Sequence, residues 1–256
     1  MALARGALVA ISIPPLLFIL SFFYAPLAYL AVFSAGEGGL VRPYIEVLTK
    51  PQYYTIIVAS FLSALAVSIA SLLISLPVGY YIVHSASRSE ATLLLVLFVA
   101  PFIVDILLRA LSLKLLLSLL SIKPGWTATT LGLLYGNLPL AIIFSYAGMR
   151  GVPHSLIEAA RTMGASQLSA HLWITIPLAS PWLAAGGVIV FLLSLTDYVV
   201  PSLLGGTTGF TVGSLIYYLI LSGDRWDLGS ALTLLVTLAS SLSAFLVFRR
   251  VYRVLG

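Results

Sequence analysis

Long runs without a charged side chain are the feature that most restricts how this chain can fold. Hydrophobic residues make up 61% of the 256 positions and charged residues only 8%, whereas a soluble domain carries roughly 25% charged residues. A helix needs about 20 predominantly apolar residues to cross a bilayer. The sequence therefore predicts a membrane protein with several spanning helices, drawn from the charge-free runs 6–36, 51–87, 124–149, 162–196, 198–223 and 228–248.

The pattern predicts an all-α protein in one transmembrane domain, 1–256, with six transmembrane helices. The third predicted span contains Asp105 and Arg109, but apolar residues continue beyond them at helical spacing. Residues 210–222 amount to about a dozen apolar positions, a length typical of re-entrant or interfacial segments. The first run is too long for a signal peptide, so we expect it to be retained. The six predicted spans are about 8–33, 54–83, 91–110, 128–148, 181–203 and 230–248.

The loop charges indicate an orientation. Six spans place both termini on one side of the cell (inner or plasma) membrane, together with the loop 149–180. Cytoplasmic loops carry an excess of Lys and Arg. The terminal side carries Arg5, Arg88, Arg150, Arg161, Arg249, Arg250 and Arg253, and the other side carries Arg42, Lys50, Lys114, Lys123 and Arg225. This bias predicts cytoplasmic termini and a cytoplasmic loop 149–180.

The loop 149–180 has its own helix signals. Ser155 and Glu158 stand at the spacing of a capping box, in which each side chain bonds the other residue's backbone amide. Gly164 is suited to a left-handed helix end. A second short helix is expected from about Ser166 to just before Pro177. On this evidence alone, Glu158 could be only a cap, with the alanines after it only good helix formers.

A longer motif gives the loop a second interpretation. Glu158-Ala159-Ala160 is followed by three residues, Gly164, nine residues and then Ile174-Thr175-Ile176-Pro177. This resembles the EAA loop of permease subunits of binding-protein-dependent ABC importers, with Ile176 where Leu is usual. The resemblance implies that an ATPase subunit docks here, where the small alanines would permit close approach. The implied docking residues are Ser155, Glu158, Ala159, Ala160, Gly164, Ile174 and Pro177.

Other segments are similar to the spermidine/putrescine (polyamine) permeases. They are 101–109, 194–206, 212–216 and 225–231, and the likeness extends from about Tyr53 to the C-terminus. Importers of ferric iron, thiamine and oxyanions share parts of these segments. The resemblance implies that a second permease subunit, identical or different, pairs with this one around a pore. It also implies ATPase subunits in the cytoplasm and an extracytoplasmic solute-binding protein as partners, with a polyamine as the best expectation for the solute.

Ionisable residues inside transmembrane segments are rare and often belong to substrate or ion pathways. Asp105 and Arg109 are four residues apart and could pair along one helix face, either structurally or in the translocation path. Asp197 is expected either to cap the fifth span or to face the pore and attract a cation, with Tyr198 adding cation–π attraction. Asn137, in the fourth span, suits either the path or helix packing.

Several function classes lack support in the sequence. There is no GxxxxGK[ST] phosphate loop, so the energy must come from another subunit. The chain has no Cys, and His84, His154 and His171 lack ligand spacing, which argues against a metal centre, and no cofactor is expected. The basic residues are scattered, unlike a nucleic-acid site. An ion-coupled carrier or an intramembrane enzyme remains an alternative, but both leave the EAA spacing unexplained.

Overall fold

The computed structural model describes residues 12–35, 39 and 41–255, with side chains to residue 250. Residues 8–11 of the first predicted span lie outside this part. All regular structure in the described residues is helical, as predicted. The helices are α1 (Ser12–Phe33), α2 (Arg42–Thr49), α3 (Pro51–His84), α4 (Arg88–Ile103), α5 (Ile106–Leu119), α6 (Trp126–Arg150), α7 (His154–Thr162), α8 (Gln167–Thr196), α9 (Val199–Leu204), α10 (Val212–Leu221) and α11 (Trp226–Leu255).

Five described helices are long and apolar enough to cross a membrane: α1, α3, α6, α8 and α11. The pair α4 and α5 also passes this test, but only as one span bent by 99°. The short apolar helix α10 falls in the segment 210–222, which the sequence predicts not to span. The described part of the chain is thus helical, with five or six candidate spans.

The third predicted span, 91–110, is wrong as a single helix. The chain leaves helical geometry at Val104, and Asp105 caps α5, its carboxylate accepting the N–H of Leu107 at 2.9 Å. A cap of this kind satisfies a backbone donor that has no partner inside the helix. The predicted ion pair is also wrong: within the described chain, Asp105 bonds the Leu107 amide, and Arg109 donates to the carbonyl of Gly136 at 3.2 Å.

The fifth predicted span, 181–203, is displaced. Helix α8 runs from Gln167 to Thr196. Asp197 follows it in an extended conformation, and α9 is a separate helix. The expected helix end before Pro177 is also wrong. A wide turn over His171–Thr175 precedes the proline, in which the amide of Ile176 bonds the carbonyl of His171, five residues back. Because the usual four-residue pattern is already interrupted there, the helix continues through Pro177.

The described residues form two compact units. The first is drawn from Met1–Tyr54 and Ile216–Ala239. Within it, the Tyr44 and Ser34 hydroxyls bond at 2.9 Å, and the Phe33 and Trp226 rings are 5.9 Å apart. Arg225 bonds Asp227 at 3.0 Å, and this hydrogen bond raises the pKa of Arg225 above its ordinary value.

The second unit is drawn from Thr55–Leu215 and Ser240–Gly256 and contains the packed helices α6 and α8. A Cβ on Gly186 would lie 2.7 Å from the Cβ of Phe144, so only a glycine permits this approach. Helix α3 joins them through serines: Ser75 bonds Ser145 at 2.7 Å, and Ser68 donates to the carbonyl of Gly187 at 2.7 Å. Lipid tails are as apolar as leucine, so small residues and interhelical hydrogen bonds hold such helices together.

Two glycines on α6 provide a matched test of this packing. A Cβ on Gly148 would lie 2.8 Å from the Cβ of Trp182, whereas a Cβ on Gly136 has its nearest neighbour at 4.0 Å. Overpacking costs about 1–3 kcal/mol, and replacing a helical glycine by alanine gains up to about 1 kcal/mol. We expect Gly148→Ala to lower the thermal unfolding temperature of the detergent-purified protein and Gly136→Ala to keep or raise it. Equal unfolding temperatures for the two variants would contradict the packing described here.

Candidate functional site

The turn between α7 and α8 is a left-handed helix end, as predicted for Gly164. Gly164 has φ +91°. Its amide bonds the carbonyl of Arg161 at 2.9 Å, and the amide of Ala165 bonds the carbonyl of Ala160 at 3.0 Å. This pair of bonds satisfies carbonyls that otherwise lack partners at a helix end. A Cβ on Gly164 would meet nothing within 4 Å, so the position needs glycine for its backbone angle and not for space.

The predicted capping box at the start of α7 is wrong. Helix α7 begins at His154, its cap position is Pro153, and no side chain caps it. Ser155 therefore lies inside the first turn, where its side chain is exposed. Glu158 instead places a carboxylate oxygen 3.1 Å from Nδ1 of His154. The start predicted for the next helix is confirmed, since the Ser166 hydroxyl accepts the amide of Ser169 at 3.2 Å.

The two alanines of the motif face opposite directions. Ala159 is exposed, whereas Ala160 is buried with Ile157 and Ala170 in a small apolar cluster. Ile174 packs against the same cluster from α8. The expectation that both alanines face a partner is therefore wrong for Ala160. Its small side chain lets α7 lie close to α8.

Exposed apolar side chains lie on the outer surface of the loop, and the sequence analysis did not identify them. Met163 is 83% exposed, Leu168 66% and Leu156 44%. Leu156 and Met163 are seven residues apart, which places them on one face of α7. The seven-residue spacing was the sequence signal from which this apolar face could have been predicted. The outer face of α7 therefore combines Ala159 with Leu156 and the adjoining Met163, whereas Leu168 lines a groove between α8 and α3.

The three histidines, far apart in sequence, meet at the base of this loop. The ring of Tyr80 lies 4.7 Å from His84 and 4.2 Å from His171, and His84 lies 6.0 Å from His154. Among the described residues, no group of histidines and carboxylates has an arrangement that could hold a metal ion. The histidines therefore pack the loop against the end of α3.

A cavity of about 430 Å³ lies at the opposite end of α8. Four of the five residues predicted for a translocation path line it: Arg109, Asn137, Asp197 and Tyr198. Asp105, the fifth, is not part of the lining. The remaining lining comes from α4, α5, α6, α8 and α9 and includes the aromatic rings of Phe102 and Tyr135. The structure thus brings together polar residues that the sequence separates by up to 89 positions, from Arg109 to Tyr198.

Asp197 is held in place by its neighbours on both sides. Its carboxylate accepts the amide of Val200 at 3.1 Å, and its carbonyl accepts the hydroxyl of Thr211 at 3.0 Å. The cap expected at the end of the fifth span thus takes another form, because the carboxylate accepts an amide at the start of α9. The carboxylate also lines the cavity, so capping and cavity exposure occur together.

The other polar residues of the cavity have distinct contacts. Asn137 donates to the carbonyl of Leu133 at 3.0 Å and to the hydroxyl of Ser194 at 3.1 Å, which joins α6 to α8. This is the packing role named as an alternative. The guanidinium of Arg109 lies 5.5 Å from the centre of the Phe102 ring. The ring of Tyr198 is half-exposed at the edge of the cavity.

Comparisons with known proteins agree with this architecture. The spermidine/putrescine transport system permease protein PotB of Escherichia coli (strain K12) is 28% identical over 226 residues, 82% of each chain. The permease protein PotC of the same system and organism is 32% identical over 143 residues, 56% of this chain and 54% of that one.

A solved structure shows the same fold. It is a crystal structure of a bacterial alginate ABC transporter in complex with an alginate pentasaccharide-bound periplasmic protein. One of its chains matches with a TM-score of 0.76 at 17% identity, over 95% of this chain and 93% of that one.

The family assignment rests on nearly the whole chain. Residues 2–255 match the family described as binding-protein-dependent transport system inner membrane component. With its apolar helices, this makes the chain a multi-pass membrane protein, and the ATPase activity of such systems resides in a separate subunit. The chain belongs to the binding-protein-dependent transport system inner membrane components and is a permease subunit of an ABC importer.

Proposed function

We propose that this permease subunit forms part of the translocation path for a polyamine such as spermidine or putrescine. The observation that carries the proposal is the cavity, which combines the Asp197 carboxylate with the rings of Phe102, Tyr135 and Tyr198. Carboxylates lower the barrier for cations in membrane pathways, and aromatic faces attract ammonium groups. The likeness to polyamine permeases supports the same solute class.

A second solute class is favoured by one specific feature. Arg109 lines the same cavity as Asp197, and a guanidinium suits carboxylate and other oxyanion groups. An oxyanion is therefore the alternative that the cavity supports. Ferric iron and thiamine as solutes are supported only by the sequence segments shared with their importers.

The loop 149–180 is proposed as the ATPase docking site. Its outer face presents Glu158, Ala159 and Met163, all exposed, while Ala160 and Ile174 hold α7 against α8. The side chains that would touch an ATPase are thus separate from those that keep the loop rigid. We further propose a second permease subunit, identical or different, and an extracytoplasmic binding protein as the remaining partners.

Helix α8 connects the docking loop to the cavity. It runs from Gln167 to Thr196 through the wide turn at His171–Thr175, a length of about 45 Å at 1.5 Å per residue. Its first turns belong to the docking loop, and Asp197 follows its last residue. When ATP binding draws two ATPases together, a displacement of the loop would move α8 as a rigid body. The cavity would then open alternately to each side.

The proposed topology has six spans in one permease domain, 1–256, with α4 and α5 together forming the third. Both termini and the loop 149–180 are then cytoplasmic. Within this third span, α5 turns away from the direction of α4 by 99°. The excess of Arg and Lys on the terminal side supports this orientation.

Cysteine accessibility tests the orientation, because the chain contains no Cys. The side chain of Ser155 is exposed, and that of Lys50 is 50% exposed in an ion pair of the kind that contributes little. A single Cys at Ser155 should react with a membrane-impermeant maleimide only after the cells are opened. A single Cys at Lys50 should react in intact cells. Reaction of both variants in intact cells would contradict six spans with cytoplasmic ends.

The turn at Gly164 tests docking. Gly164→Asp should greatly reduce co-purification of the ATPase, because a left-handed φ is strained for most side chains and the turn would reshape the loop. Asparagine is the residue found besides glycine at left-handed helix ends, so Gly164→Asn is the matched control and should retain more ATPase. Membrane insertion should be normal in both variants. Wild-type yields of ATPase with Gly164→Asp would refute a docking role for this turn.

Asp197→Asn tests the charge in the cavity. The asparagine oxygen can still accept the amide of Val200, so the cap is kept while the charge is removed. Uptake of spermidine into reconstituted vesicles should fall several-fold, Asp197→Lys should nearly abolish it, and ATPase co-purification should remain. If the solute is an oxyanion, uptake of that oxyanion should be unchanged or higher in Asp197→Asn. Unchanged spermidine uptake would mean that Asp197 serves only as a cap.

A further inference from the structure

The guanidinium of Arg109 is held by few contacts for a charged group at membrane depth. A guanidinium offers five N–H donors. One nitrogen donates to the carbonyl of Gly136 at 3.2 Å, and Nε is buried with no hydrogen-bond partner among the described residues. A buried charge is usually paired and fully hydrogen-bonded. The geometry around Arg109 is therefore poorly suited to a purely structural role.

The same guanidinium occupies the contacts that a cationic solute would use. It lies 5.5 Å from the centre of the Phe102 ring and lines the cavity together with Asp197. No direct ion pair joins Arg109 to Asp197 in the described part of the chain, so the carboxylate stays open toward the cavity. One positive and one negative side chain leave the empty cavity close to neutral. An ammonium group entering it meets both the attraction of Asp197 and the repulsion of Arg109.

We propose that Arg109 is a specificity-determining resident cation that keeps the binding of a polycationic solute weak enough for release. This rests on the proposed function of the cavity as a path for cations. Without Arg109, the carboxylate and the aromatic rings would hold a polyamine tightly. In a low-dielectric cavity such attraction is strong, and conduction requires sites that a solute can leave. Arg109 occupies one aromatic face and repels an ammonium group that approaches the carboxylate, and so shortens the stay of the solute.

The charge of the solute separates this role from a structural one. Coulomb repulsion grows with the number of charges on the solute, so spermidine, with three ammonium groups, should respond more strongly than putrescine, with two. Loss of a structural contact would affect both solutes alike. Arg109→Gln removes the charge and can still donate a hydrogen bond, whereas Arg109→Lys keeps the charge as the matched control.

The experiment uses the complete complex of both permease subunits and the ATPases, purified in detergent without the binding protein. Equilibrium dialysis measures the binding of labelled putrescine and spermidine to the wild type, Arg109→Gln, Arg109→Lys and Asp197→Asn. We expect Arg109→Gln to bind spermidine about tenfold more tightly, with a smaller gain for putrescine. Arg109→Lys should stay near the wild type. In vesicles with the binding protein, Arg109→Gln should show slower maximal uptake.

The outcomes separate the two proposals. Weaker or unchanged spermidine binding by Arg109→Gln, with loss of binding in Asp197→Asn, would overturn the role of Arg109 and leave the cation path intact. An Arg109→Lys variant that behaves like Arg109→Gln would likewise overturn it, because the charge would then not be the cause. If Asp197→Asn binds both solutes as the wild type does, the proposed path through this cavity fails, and the role of Arg109 fails with it.

Discussion

The close packing of α6 against α8 is the contact on which the rest of the second unit depends. Gly186 lets the two helices approach at Phe144, Gly148 does so at Trp182, and the bond from Asn137 to Ser194 joins them at the other end. Apolar side chains gain no hydrophobic free energy by moving from lipid to a helix interface. These helices therefore need close contact and hydrogen bonds to associate. One end of the pair holds the loop proposed for ATPase docking, and the other holds the cavity. The packing therefore sets the distance between the two sites.

Both acidic residues inside apolar segments cap a helix. Asp105 accepts an amide at the start of α5, and Asp197 accepts one next to the start of α9. A helix that begins at membrane depth leaves backbone amides without partners, and water is scarce there to satisfy them. An aspartate at the break supplies the missing acceptor. Of these two aspartates, only Asp197 lines the cavity.

The motif proposed for docking combines two physical roles that its sequence does not distinguish. Ala160 and Ile174 point inward and hold α7 to α8, and Gly164 shapes the turn between them. Glu158 and Ala159 point outward, beside the exposed Leu156 and Met163. A loop that is rigid inside and apolar outside can pass a displacement to α8. This is the property that a subunit driven by an external ATPase requires.

Several features follow from the sequence alone. The charge-free runs determined an all-helical membrane protein, because apolar segments of this length can fold in few other ways. The motif spacing identified the permease family. The left-handed turn at Gly164 was also predictable, since glycine after a helical segment has few other local uses. These are local properties, fixed by neighbouring residues and by the solvent around them.

Tertiary structure decided the rest. The break at Asp105 and the continuation of α8 through Pro177 depend on hydrogen bonds whose choice among competing partners the apolar pattern does not encode. The inward face of Ala160 depends on where α8 packs. The meeting of Arg109, Asn137 and Asp197 in one cavity depends on how three separate helices are arranged. Such contacts join residues far apart in sequence, and a single sequence carries no direct signal of which distant residues will touch.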